Sequence, residues 1–377
     1  MSCGAAAAPR IPASDDTVLD HVPAAAETRS LEPLRTRLAA HPRDEKSALA
    51  LAHGYLDIGR ANADPRFVSY AQATLGPWLA AARPSAAVLT LGGTVLQYLH
   101  HFDAALDLLD RALAVEPLEG QAWLTKATIL QVQGRFDEAR LACRPLIRAS
   151  SQLVALTCLT SVNSLSGRLN ESYAALRGAL PQDPHMPANL RAWMEGELAD
   201  MAQRAANERD AEFYLHDALS VAPHDPSLMA AYSDLLLRQH RDPEVVQFLK
   251  GREQQDNLLL RLAIAGAHLR SPAAPAWGNL FQERYEAARR DGDFTHLREQ
   301  ARFLLEVRGR PAEALALAQR NWQVQREPAD VHVYIDAAVA LGDRKRAQPV
   351  FDWIRRTHYE DRTLVGKPVA GYSVVSR

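Results

Sequence analysis

The sequence predicts an all-α fold of about nine antiparallel helix hairpins. Three observations carry that expectation: a spacing near 34 residues, glycines in register with it, and apolar residues at three- and four-residue steps between the turns. The small-residue slot runs through Ala71, Ala105, Ala139, Ser172, Ala211, Val245, roughly Leu280, Ala314 and Ala347. Its steps are 34, 34, 33, 39, 34, 35, 34 and 33. Five residues ahead of the slot stand Gly134, Gly167, Gly309 and Gly342, where a helix stops and turns without a Cβ penalty. Four residues behind it come Leu75, Leu109, Cys143, Leu176, Leu215, Leu249 and Phe351. Twelve behind it, Pro117, Pro184 and Pro223 close one unit and open the next.

In chain order, residues 1–14 are expected to be disordered, and 15–44 to form capping helices. Residues 45–250 form the regular array, with an insertion at "ANADPR" (61–66) and another at "PQDPHMPAN" (181–189) that accounts for the 39-residue step. Residues 251–296 form an irregular hairpin, where "RSPAAPAWG" interrupts the pattern and Arg284 falls in an apolar slot. Residues 297–360 return to regular hairpins. The end, 361–377, loses the helical period and is expected to be a loose tail.

The unit "GQAWLTKATILQVQGRFDEARLA" carries Trp123, Ala127, Leu130, Gly134, Phe136 and Ala139, and in this it resembles the tetratricopeptide repeat family. The resemblance is strongest over 86–223, fair over 45–85 and 297–355, and weak over 251–296. It implies a right-handed superhelical solenoid whose inner groove is lined by the first helix of each unit. One hairpin cannot bury its own apolar face, so neighbours supply the core. The alanine slots, the Gly92–Gly93 pair and aromatic residues such as Trp123, Trp193, Phe136, Tyr173 and Phe351 are then packing residues.

Composition excludes several functions. With 43 basic and 45 acidic residues the formal net charge is −2, which gives no global attraction to nucleic acid. No apolar run is long enough to cross a bilayer. There is no phosphate-binding loop, dinucleotide fingerprint, nucleophile elbow or His-Glu-x-x-His pair, so no cofactor, metal or catalytic residue is nominated. His100 and His101 occupy a turn and are expected to be solvated.

Binding is where a solenoid usually does its work. The resemblance places Thr90, Thr94, Gln97, Thr128, Gln131, Ser161 and Ser164 on the inner face of three successive first helices. The lysines and asparagines with which some family members hold a terminal carboxylate are absent. What remains is a neutral lining of hydroxyls and amides, suited to an extended protein or peptide partner. The leading function is a non-enzymatic binding scaffold. An enzyme whose residues converge only in three dimensions, and a regulatory or nucleic-acid-associated repeat protein, are the alternatives.

Cys143 and Cys158 straddle Ser150–Ser151 at nearly equal distance, on facing helices of adjacent units. No further soft ligands stand near them, and an apolar slot argues against a reactive thiol. A disulfide and two packed thiols both fit. The start "MSCGAAAAPRIPASDD" has no basic region followed by an apolar run, yet it is similar to the small-residue segment just past a cleaved signal. A lipid anchor at Cys3 would require an upstream signal. A similarity to bacterial exported repeat proteins implies a periplasmic location, with a cytoplasmic one as the alternative.

Overall fold

The computed structural model describes residues 26–62, 64–180, 185–290 and 296–364. The expectations for residues 1–14, Cys3, Pro184 and the tail beyond 364 lie outside the described residues. Among the described residues every regular element is helical. A 3-10 turn (Ala26–Leu31) and α1 (Glu32–Ala40) lead in. Nine helix hairpins come after them. The first four are α2 (Glu45–Asn62) with α3 (Pro65–Leu79), α4 (Ala86–Tyr98) with α5 (Phe102–Val115), α6 (Gly120–Val132) with α7 (Phe136–Cys143) and α8 (Leu146–Ala149), and α9 (Gln152–Ser164) with α10 (Leu169–Ala179). Then come α11 (Ala188–Arg204) with α12 (Glu208–Val221), α13 (Pro226–Arg238) with α14 (Asp242–Phe248), and α15 (Asp256–Leu269) with α16 (Ala274–Arg290). The last two are α17 (Leu297–Glu306) with α18 (Pro311–Asn321), and α19 (Pro328–Ala340) with α20 (Gln348–Thr357).

The small-residue slot is where the two helices of a hairpin meet. Ala71, Ala105, Ala139, Ala211, Val245 and Ala314 are completely buried, and Ser172 and Ala347 nearly so. Gly93 faces this slot: a Cβ there would lie 2.7 Å from Leu109 Cγ and 3.3 Å from the Ala105 carbonyl. Close packing therefore accounts for the glycine pair. The irregular seventh hairpin shifts frame. Its buried small residue is Gly278, with Phe281 one turn on, while the expected Leu280 is only half-buried. Arg284 turns out of the apolar slot to bond Asp256 at 2.7 Å.

Eight hairpins turn through one residue of left-handed backbone. Glycine fills the position at 134, 167, 309 and 342, as its spacing predicts, and His100, Ala206, His240 and Arg270 fill it elsewhere. The amide after this residue reaches back to close the helix, as in Arg135 N–H to Leu130 O (2.8 Å) and Asn207 N–H to Ala202 O (2.8 Å). The opposite ends are capped by side chains. Ser85 and Ser151 each accept from an amide three residues on, and Asp225 accepts from Ser227 and Leu228.

The array closes on itself. The last hairpins come back to the turns of the second to fourth, through contacts that periodicity alone does not signal. Arg326 donates its backbone N–H to Val132 O (2.8 Å) and its guanidinium to Gln133 O (2.9 Å). Trp353 packs on Phe136, ring centroids 5.7 Å apart, and Leu169 N–H donates to Glu360 at 2.8 Å. Gln255 Nε2 reaches Ala61 O in the first hairpin at 3.2 Å.

Candidate functional site

Closure leaves a cleft of about 1580 Å³ between the first two hairpins and the sixth to eighth. One wall comes from the first two hairpins, with Arg60, Gln97, Tyr98, His100 and His101. The facing wall comes from the turn before α13, from Phe281, Arg284 and Tyr285 on α16, from His296–Gln300, and from Asn321 and Gln325.

At its deep end the turn residue His100 is packed in, and the expectation of a solvated turn fails there. Gln325 Nε2 donates to its Nδ1 at 2.6 Å, its ring stacks on Phe102 (5.4 Å), and the His296 ring lies 6.2 Å away. Burial, reinforced by His296 and Arg298, pushes the His100 imidazole down to about 4 against the opposing pull of Glu327 and Glu299. The ring is therefore neutral near pH 7. With Nδ1 accepting, its single proton sits on Nε2. One turn along α17, Gln300 is only 4% exposed. Of the side-chain polar atoms buried without a partner among the described residues, Gln300 Oε1 is the one on the cleft wall. Arg298 beside them is already committed, to Glu299 (3.1 Å), Glu327 (2.7 Å) and Asp330 (3.4 Å). Against the burial that raises it, Arg298 holds the Glu299 carboxyl down to about 2.

The residues expected to line a groove do not converge on one surface. Gln97 lines the cleft. Thr90 and Thr94 are buried between helices, and Thr94 donates to its own helix at Thr90 O (2.9 Å). Thr128 is exposed and donates to Leu124 O (3.0 Å). Ser161 donates to Gln131 Oε1 at 3.2 Å, which does bring two of them together. Ser164 is taken by Arg204, a buried arginine that donates to its hydroxyl (2.7 Å), to its carbonyl (2.8 Å) and to Glu360 O (3.3 Å).

Beyond the third of these helices the inner face is charged. Asp234 on α13 accepts from Arg261 (2.6 Å) and Arg302 (2.5 Å), and Arg302 also binds Glu306. Burial would raise the Asp234 carboxyl, but these two guanidiniums hold it well below the usual range. On α11, burial pushes Glu197 up to about 7 although Trp193 Nε1 donates to it at 3.1 Å. The signal for this was present. The slot eleven residues before each small-residue anchor reads Thr94, Thr128 and Ser161, then Asp200 and Asp234.

Cys143 and Cys158 are joined as a disulfide, with Cα atoms 5.7 Å apart. Pro145 ends α7 just after Cys143, and the helix restarts at Leu146, so the break leaves the sulfur facing α9. No group of three or more metal-ligating side chains occurs among the described residues. No helix of the described residues is long and apolar enough to cross a membrane.

Residues 90–153 match the profile of the tetratricopeptide repeat family. Residues 90–153 carry tetratricopeptide repeats. Among solved structures it is similar to yeast Tom70, at 11% identity over 88% of this chain and 82% of that one, with a TM-score of 0.41. It is also similar to the Cut9–Hcn1 heterotetramer of APC/C, at 12% identity over 88% and 83%, TM-score 0.43. A third is a tetratricopeptide repeat protein from Parabacteroides merdae, at 12% identity over 80% and 98%, TM-score 0.37. No curated protein matches the sequence. The matched stretch begins at Thr90 on α4 and ends at Leu153 on α9, so it covers the tetratricopeptide units that contribute Gln97, His100 and Cys143.

Proposed function

We propose that the protein is a non-enzymatic scaffold that holds an extended segment of a protein partner in the cleft between its first two hairpins and its sixth to eighth. The cleft carries this reading. At about 1580 Å³ it exceeds the roughly 300–1,000 Å³ of small-molecule pockets, and its walls mix aromatic rings with carboxamides and imidazoles. Of the hydroxyls first expected to bind a partner, Thr94 and Thr128 bond their own helices, Ser164 is bonded by Arg204, Ser161 bonds Gln131 and Thr90 is buried, which favours the cleft as the binding surface. His100 serves as hydrogen-bonding wall and not as acid or base, because it spends Nδ1 on Gln325 and stays neutral near pH 7. The near-neutral charge argues against nucleic acid as the partner. The Cys143–Cys158 bond supports an oxidising, exported setting.

A photocrosslinking residue at the cleft position Gln72 should capture a defined partner. The same residue at Asp107, on the second helix of its hairpin and off the cleft wall, should not. Ser227→Trp, which fills the cleft mouth, should abolish that capture. Equal capture from both positions would overturn the proposal.

A further inference from the structure

Three groups meet at the deep end of the cleft. His100 offers one N–H, since Gln325 occupies its other nitrogen. Gln300 offers one acceptor, Oε1, which is buried and has no partner. His296 lies between them in the chain of contacts: its ring is 6.2 Å from that of His100, and its carbonyl accepts the Gln300 backbone N–H at 3.2 Å. A buried carboxamide oxygen without a donor is costly, so a site that keeps one gains when a ligand supplies the donor.

We infer that this end of the cleft is a subsite for an uncharged amide, whose C=O accepts from His100 Nε2–H and whose N–H donates to Gln300 Oε1. The inference rests on the reading of the cleft as a partner-binding surface and names what it recognises. A carboxylate fits poorly. Arg298, the guanidinium next to Glu299 on α17, already faces Glu299, Glu327 and Asp330, so it is not free to meet an anion. An ammonium fits poorly as well, because it would meet the His100 N–H donor. The amide can come from a peptide backbone or from an Asn or Gln side chain.

The test uses the full chain with its histidines labelled with 13C at Cε1, observed by NMR. N-methylacetamide stands for the backbone, acetamide for the side chain, and acetate and methylammonium for the charged alternatives. The amides should shift the His100 and His296 signals saturably, in roughly the millimolar range expected of so small a ligand. Whichever amide binds more tightly identifies the source. Gln300→Leu should abolish the shifts while keeping or raising the melting temperature, because it also removes the orphaned acceptor; Gln300→Met serves if the leucine variant does not fold. Charged probes binding as well as the amides, amide binding surviving in the Gln300 variant, or no saturable shift would each overturn the subsite. If Gln300→Leu still crosslinks the partner from position 72, the scaffold stands and the subsite falls. If amides bind but position 72 captures nothing, the reverse holds.

Discussion

The inner helices of the second to fourth hairpins and those of the fifth and sixth solve the same problem differently. Eleven residues before the buried small residue, the first set carries Thr94, Thr128 and Ser161; the second carries Asp200 and Asp234, and Asp336 occupies the slot again in the ninth. A hydroxyl can satisfy itself on its own helix, as Thr94 does on Thr90 O and Thr128 on Leu124 O. A carboxylate only accepts, and the helix backbone has no free N–H to give it, so it must recruit a side-chain donor, which for Asp200 is Arg204 on the same helix (2.8 Å). Asp234 recruits Arg261 and Arg302 from the next two hairpins. Between Thr128 and Asp234, one chemical change in a repeated slot thus turns a self-contained position into a bond between units.

The comparison breaks most sharply at Asp234. Asp234→Ala leaves Arg261 without its carboxylate and Arg302 with Glu306 alone, and should cost about 3–5 kcal/mol, whereas Thr128→Ala in the same slot should stay within about 0.5 kcal/mol. Urea unfolding of both variants measures the contrast, and similar losses would erase it. Next in size is the Cys143–Cys158 bond, the covalent tie of the hydroxyl-lined half. It closes a separation of 15 residues, so reduction should lower stability by about 3 kcal/mol, read as a shifted urea midpoint with and without reductant.

Dependence on pH ranks third. His100 falls from 6.5 to about 4 on folding, so the unfolded chain binds the extra proton between those values. Its contribution is complete above pH 6.5 and is lost as pH falls toward 4, by up to about 3 kcal/mol. His100→Asn, which tolerates the left-handed turn, should flatten that acid slope. Glu197 has the opposite sign: raised from 4.5 to about 7, it stabilises most below 4.5 and loses that contribution as pH climbs through 7. Glu197→Gln should therefore steepen the net fall in stability toward acid. The smallest effect is expected at Thr90, whose buried Oγ1 has no partner among the described residues. Thr90→Val should be neutral or raise stability by about 1 kcal/mol, measured by thermal unfolding.

The hairpins were legible because their rules are local and repeat. Gly134, Gly167, Gly309 and Gly342 take the left-handed turns their spacing implies, and the small-residue slot is buried wherever the frame holds. It fails at Leu280, where α16 enters after "RSPAAP" and Gly278 takes the packing position. The charged slots at Asp200 and Asp234 were equally legible had the pattern been carried past Ser164. The cleft was not. His100 and Gln325 are 225 residues apart, and their meeting depends on the accumulated rotation of every hairpin between them, a quantity no single repeat encodes.

That return contact bears on how the molecule comes apart. An open row of repeats frays from its ends, because each terminal unit has one neighbour instead of two. Here the Arg326 amide on the Val132 carbonyl and Trp353 against Phe136 give the last hairpins a second neighbour, far back in the chain. Amides of α19 and α20 should then exchange with solvent about as slowly as those of α6 and α7. The last hairpins are then no free end from which unfolding starts.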